Sequence, residues 1–186
     1  MNRIRAGDPE ALRLLLEETW APLVRYLTAR MDSPEDAQDA AQEAFVRLWE
    51  HRERWTEGTP RAVLFRIGRN LALDRGRRLD VRRRWAGRVR AEPPPGPTTP
   101  EEMYRAGELE REVSLAVQAL PERRRDVFEL VRYEGLAYRE VARVLGVSVQ
   151  TVANQMSLAL RDLRARLATH LPDAGEMPDD ARSNDG

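Results

Sequence analysis

LAYREVARVLGVSVQTVANQMSLALRDLR, residues 136–164, reads as two short helices joined by a tight glycine turn, the pattern of a helix-turn-helix. Val141, Ala142 and Leu145 fall on one helical face, Gly146 supplies a left-handed turn position, Val147 plugs the corner and Ser148 caps the next helix. That second helix turns Val152, Met156, Ala159, Leu160 and Leu163 inward. Gln150, Thr151, Asn154, Gln155 and Ser157 then face outward as a row of hydrogen-bonding side chains, which suits base edges in a major groove. Three helices that merely pack together would show the same turn, so the stretch fixes local fold and leaves function open.

Upstream of it the helical signals continue. Pro121 restarts the chain, Val127, Leu130 and Val131 space one more helix, and Gly135 stops it. Thr99, Pro100 and Glu102 form a capping-box start for a helix carried by Ala106, Leu109, Val113, Val117 and Leu120. Before these comes AEPPPGPTTP, residues 91–100, whose consecutive prolines exclude helix and central strand and favour an extended tether. The tether divides the chain. On its N-terminal side, Asp8, Pro9 and Glu10 have the order of a cap, a first-turn proline and an acidic first turn, and Leu12, Leu15, Leu16 and Thr19 continue a helix that Pro22 kinks or splits. Ser33, Pro34, Glu35 and Asp36 repeat that start before Ala37, Ala40, Ala41, Ala44, Phe45 and Leu48. A third helix opens at Thr59 and Pro60, with Leu64, Ile67, Leu71 and Val63 inward and an outer side that is almost entirely Arg. No strand pattern of useful length appears. The expected fold is all-α: two small helical domains, at residues 1–90 and 105–171, joined by a Pro-rich linker at 91–104 and followed by an acidic, disordered tail at 172–186.

Composition narrows the class. The 186 residues are 6% aromatic, too few for one large core. Formal net charge is zero, but its distribution is uneven: residues 52–90 carry +9, residues 136–171 carry +3, and residues 1–50 and 172–186 carry −4 each. Two basic islands thus lie among acidic flanks, and clustered guanidinium groups are the expected footprint of phosphate binding. Cysteine is absent, which removes disulfides, thiolate nucleophiles and cysteine zinc sites. Only His51 and His170 could serve as histidine bases, and neither has a partner arrangement for catalysis. There is no phosphate-cradling glycine loop, so no enzyme activity, cofactor or metal is expected. With no apolar run long enough to span a bilayer and no signal-peptide pattern, the protein is expected in the cytoplasm, without membrane insertion.

Two blocks in this order resemble the extracytoplasmic-function group of bacterial sigma-70 family RNA polymerase sigma factors. DAQDAAQEAFVRLWEHRERW, residues 36–55, is similar to the family's second conserved helix, and PRAVLFRIGRNLALDRGRR, residues 60–78, to its promoter-melting helix. The C-terminal block LPERRRDVFELVRYEGLAYREVARVLGVSVQTV completes the match. The resemblance implies that the amide-rich and acidic face of the second helix, Gln38, Asp39, Gln42 and Glu43, docks on core RNA polymerase. It implies a −10 surface of Trp55, Arg66, Arg69, Asn70, Asp74, Arg75, Arg77 and Arg78, with Asn70 able to both donate to and accept from a base edge. Trp55 has two readings, a ring that stacks on an unpaired base for about 1–3 kcal/mol and a core tryptophan that closes the helix pair. The resemblance further implies a −35 surface of Arg139, Ser148, Gln150, Thr151, Asn154, Gln155, Ser157, Arg161 and Arg164, in which the arginines meet phosphates. Promoter DNA and core polymerase are the implied partners. Members of the group are commonly held by an anti-sigma protein, for which no residue here is diagnostic.

The chain departs from the family at several positions. Val63 stands where a tryptophan is usual. Gly68 sits inside a helix where alanine is common, at a cost of about 1 kcal/mol, which permits close approach of another helix. Ala137 replaces a hydroxyl cap, and Ala153 and Leu158 occupy recognition-helix positions that are often basic. The competing reading is a stand-alone helix-turn-helix transcriptional regulator, which would need only the C-terminal block.

Overall fold

The alanines of the second helix set the geometry of the N-terminal half. In the computed structural model, which describes residues 2–86 and 111–168, Ser33 accepts the Asp36 N–H at 3.0 Å and starts α3, Pro34–Glu50. Ala37, Ala40, Ala41, Ala44, Phe45 and Leu48 are all buried on one side of it. Four methyl-sized side chains in a row let neighbouring helices come close, and larger groups on those neighbours fill the space. The neighbours are α2, Pro9–Thr28, and α4, Pro60–Ala86. Asp8 caps α2 through the N–H groups of Glu10 and Ala11, behind a single turn, α1, Asn2–Arg5.

Pro22 does not split α2, which runs through it as one helix. A proline removes one N–H and crowds the preceding turn, yet Leu23 and Leu27 beside it are wholly buried and Tyr26 meets Phe65 edge-on at 5.3 Å. Burial of three large side chains outweighs one missing hydrogen bond. Gly68 on α4 faces this same stretch. A Cβ built there would lie 3.2 Å from Leu23 and 3.4 Å from Leu27, so the close approach expected of this glycine is present.

The C-terminal unit packs 111–118 (α5), Glu122–Arg132 (α6), Tyr138–Leu145 (α7) and Val149–Leu167 (α8) around Val117, Leu120, Val127, Leu130, Val141, Val152, Ala159 and Leu163. Gly146 ends α7 at φ +67°, ψ +38°, and the Ser148 hydroxyl accepts the Thr151 N–H at 3.0 Å to start α8. Val147 does not plug the corner. The left-handed turn sends its side chain outward, where it is 40% exposed, while its N–H closes the turn on the Ala142 carbonyl. Val144 is buried in its place and Leu145 is only half-buried. Among the described residues there is no strand, and no helix is long and apolar enough to cross a membrane.

The two units are not held apart. α7 packs against α4, and an ionic seam runs beside that contact. Arg30, two residues past the end of α2, donates to Asp126 and to Glu129 (2.6 Å) on α6, and its guanidinium lies 3.6 Å from the centre of the Tyr26 ring. Arg69 reaches the other Asp126 oxygen at 3.4 Å. Glu134 is gripped from both sides, by Arg25 at 2.9 Å and Arg61 at 2.7 Å. Opposite charges placed face to face on two surfaces explain the contact, which a reading of each helix by itself does not anticipate. The proline linker, the capping box at Thr99, the acidic tail and His170 lie outside the described residues.

Glu140 ties the helix starts of both units together. Its carboxylate accepts the Ala137 N–H at 3.1 Å, the half of a capping box that does not need a hydroxyl at position 137, and accepts the Thr59 hydroxyl at 2.5 Å and the Thr59 N–H at 3.2 Å at the start of α4. Burial pushes its pKa up, but the hydrogen bonds from Thr59 and Ala137 prevail and hold it below its ordinary 4.5. A depressed carboxylate stabilises the fold above its unfolded-state value and loses that contribution as pH falls through the folded value. Glu140→Gln is therefore expected to lower Tm near neutral pH and to make the decline of Tm below pH 4.5 shallower than in the wild type, as followed by circular dichroism. Equal acid slopes would contradict the assignment. At Gly146 a Cβ meets nothing within 4 Å, so substitution there costs backbone strain alone. Gly146→Val is expected to lose about 1–2 kcal/mol and Gly146→Asn clearly less, read as Tm in the same melts.

Candidate nucleic-acid interface

α4 presents its basic residues around more than one side. At about 100° per residue, positions 66, 70, 74 and 77 share a stripe, position 69 lies to one flank, and position 75 points away. The structure follows that arithmetic. Asn70, Asp74 and Arg77 are exposed, with Arg77 and Asp74 paired at 3.8 Å. Arg75 turns back to α3, where it donates to the Asp36 carbonyl at 2.6 Å and approaches Glu43 at 4.0 Å. Arg69 enters the seam with Asp126. Arg66 is half-buried and lies over the Trp55 ring at 4.8 Å. The helix includes Arg78, whose side chain is outside the described set.

Trp55 follows a single 3-10 turn, Arg52–Arg54, and packs half-buried against the core, with its indole N–H enclosed and without a hydrogen-bond partner. One ring face is occupied by Arg66. In this conformation the tryptophan closes the helix pair, and it would meet an unpaired base only after Arg66 moved aside. Of the eight residues expected together on this surface, the structure brings three into one exposed patch, sets Arg66 and Trp55 beside each other, and diverts Arg69 and Arg75 to protein partners.

On α8 the expectation and the geometry agree more closely. Val152, Met156, Ala159 and Leu163 are buried. Gln150, Asn154, Ser157, Arg161 and Arg164 form one exposed stripe, with Thr151 exposed beside it and Gln155 half-buried. Gln150 donates to Asn154 at 3.0 Å, which pre-orders two amides along the helix. Ser148 is exposed, but its hydroxyl is engaged with the N–H and hydroxyl of Thr151. Arg139 is exposed on α7, and one turn further on stands Arg143, absent from the expected set. Both arginines, with Val147 and Val149, line a shallow groove at the start of α8. The i,i+4 spacing of two arginines on the helix preceding the capped α8 was the available signal for Arg143.

The α3 face keeps Gln38, Asp39 and Gln42 exposed, while Glu43 is half-buried and held by Arg47 at 2.5 Å. His51 ends α3 and is exposed. Among the described residues no three histidine or acidic side chains stand close enough to hold a metal. The chemistry on offer is therefore hydrogen bonding and charge: amides and guanidiniums on two exposed helices, and a polar face on a third.

Residues 16–82 match the family described as Sigma-70 region 2, and residues 110–163 that described as Sigma-70, region 4. The ECF RNA polymerase sigma factor SigL of Mycobacterium tuberculosis is 31% identical over 165 residues, covering 87% of this chain and 92% of SigL. The ECF RNA polymerase sigma factor SigE of Mycolicibacterium smegmatis is 32% identical over 177 residues and 88% of this chain, which spans 65% of the length of SigE. In fold, the chain is similar to the sigma factor RpoE of Bartonella quintana solved with the anti-sigma factor NepR, with a TM-score of 0.64 over 87% of this chain and 99% of that one at 17% identity.

Proposed function

Because the chain belongs to the extracytoplasmic-function group of the sigma-70 family, we propose that it binds core RNA polymerase and directs it to promoters through −10 and −35 recognition. One observation carries the proposal: a region 2 match and a region 4 match occur in order on one chain, and the second contains the exposed amide and guanidinium stripe of α8 from Gln150 to Arg161. In this reading, residues 1–90 bind polymerase and the melted −10 strand, residues 105–171 bind the −35 duplex, and residues 91–104 link them. The chain makes and breaks no covalent bond itself, and a cytoplasmic location follows from its partner. The complex of the RpoE relative with NepR supports control by an anti-sigma protein.

The division of work follows from the chemistry of each surface. Gln150 and Asn154 carry carboxamides, which pair with adenine edges, and Arg139, Arg161 and Arg164 carry charge for phosphates. Asn70 and Arg77 offer the same two chemistries to an unpaired strand. Melting costs about 1.4 kcal/mol per base-pair step, so a single stacking contact cannot hold a bubble, and polymerase supplies the remainder. A stand-alone regulator would need only the C-terminal block, and the match of residues 16–82 stands against it.

Transcription from a promoter library with purified core polymerase tests the proposal: initiation is expected to depend on this protein, and initiation that does not would defeat it. Replacing Gln42 and Glu43 by Arg is expected to abolish co-purification with core polymerase while helix content by circular dichroism stays unchanged. Retained co-purification would remove the docking role of α3. On the −35 side, Asn154→Ala is expected to relax discrimination at one base position by about 1–3 kcal/mol, whereas Arg161→Ala weakens all promoters alike and lowers the salt slope by about 1. Competition among promoter variants at several salt concentrations separates the two.

A further inference from the structure

The first three turns of α8, Val149–Leu160, contain no charged residue, and the first guanidinium on the helix is Arg161, about 18 Å along the axis from its start. A helix that enters the major groove contacts base edges through its N-terminal residues. The commonest contact that selects guanine is an arginine or lysine on its N7 and O6, and this part of α8 has neither. Ala153 and Leu158 are half-buried and offer no polar side-chain atom. What the outward side holds there is Gln150, Asn154 and Ser157, all exposed. The two amides are not independent. Gln150 Nε2 donates to Asn154 Oδ1 at 3.0 Å across one turn, which holds both planes against rotation and sets which end of the Asn154 amide is oxygen. After that bond Asn154 keeps both Nδ2 hydrogens and one lone pair on Oδ1. The neighbouring hydroxyls of Ser148 and Thr151 are already bonded to each other at 2.8 Å.

We infer that Asn154 reads one adenine of the −35 element, that Gln150 is the positioning residue which orients its amide, and that the base pairs under the first two turns of α8 are selected for A·T over G·C. The inference rests on the proposed −35 role of α8 and deepens it by naming the base. In the major groove adenine presents an acceptor, N7, beside a donor, the N6 amino group. Asn154 offers the complement: Nδ2–H donates to N7, and the remaining Oδ1 lone pair accepts from N6–H. Guanine presents two acceptors, N7 and O6, so one contact is lost and O6 is set against the Asn154 oxygen. An untethered amide could still turn and bond a wrong base through a single atom. The bond from Gln150 opposes that turn. Val149, 44% exposed at the helix start, adds methyl surface of the kind that meets the C5-methyl group of thymine, which again favours an A·T pair. Arg139, Arg161 and Arg164 remain for phosphates, whose contacts carry no base information.

The test is competition among promoters randomised across the −35 element, for the full chain assembled with core polymerase and for the full chain alone. One position is expected to favour adenine over guanine by about fivefold or more. Asn154→Ala is expected to remove that preference, and Asn154→Arg to turn it toward guanine, because arginine supplies two donors. Gln150→Leu keeps the bulk and cannot donate. It should lower the adenine preference at the same position, and should change it no further once Asn154→Ala is present. Both residues are exposed, so helix content is expected to stay unchanged. A change in the DNA tests the same contact with the protein unaltered: 7-deazaadenine, which lacks N7, placed at the selected position should weaken binding of the wild type and leave the Asn154→Ala variant unaffected. Guanine preferred by the wild type at the position that Asn154→Ala alters, a 7-deazaadenine effect that persists in Asn154→Ala, or a Gln150→Leu effect confined to a different base would each overturn the inference. With initiation still dependent on this chain, those results would leave the sigma-factor reading standing. The expected base preferences for the chain alone, with no initiation when core polymerase is added, would overturn the sigma-factor reading and leave the amide pair standing.

Discussion

Pairing of guanidinium with carboxylate across the seam decides how the two helical units stand relative to each other. Arg30 is the centre of it. The side chain is largely buried, yet it donates to Asp126, to Glu129 and to the Tyr26 carbonyl, and its face rests on the Tyr26 ring. Removing a charge from water is costly, and the Coulombic return compensates only when geometry is good and the remaining donors are satisfied. Here they are. Deleting one member of such a buried set typically costs about 3–5 kcal/mol, because the partner charge is left enclosed and unpaired. The same physics makes the whole set nearly neutral in stability against an apolar seam, so its effect is on orientation more than on net folding energy.

That orientation reaches the candidate sites directly. Arg69 and Arg61 belong to the helix that carries Asn70, and their engagement with the C-terminal unit leaves only part of that helix open to solvent. Glu140 adds a second link, since one carboxylate caps α7 and grips Thr59 at the start of α4. The starts of the helix-turn-helix and of α4 therefore share a hydrogen-bonding group. Local structure and interdomain placement are coupled at a residue whose sequence context, an acid at the third position of a helix, suggests only a local role.

Local elements were legible in the sequence because their causes are local. Ser33, Gly146 and Ser148 act within a few residues, and the buried set of α3 follows from helical spacing alone. Of the two readings of Pro22, a kink or a split, the split fails because tertiary burial of its neighbours overrides an intrinsic preference, and Val147 misled because its exposure depends on the direction imposed by a left-handed turn. For the functional surfaces the same division holds. The α8 stripe could be read from spacing, whereas the diversion of Arg69 and Arg75 depends on Asp126 and Asp36, residues 57 and 39 positions away. Arginine at a helical interval says that a charge faces some direction. Which anion waits there is a property of the assembled chain.

Gly68 shows how far such coupling extends. The absence of a single methyl group lets α4 rest against Leu23 and Leu27 at little more than van der Waals distance. Arg25 stands between those two leucines in the chain, and Arg30 follows two residues after the same helix ends, so the depth at which α2 seats on α4 also sets the height at which both cations meet the opposing acids. A backbone carbon with no branch thus acts as a shim for an electrostatic joint a turn or more away, and evolution could retune how readily the halves part by altering packing volume at this spot while leaving every charge in place.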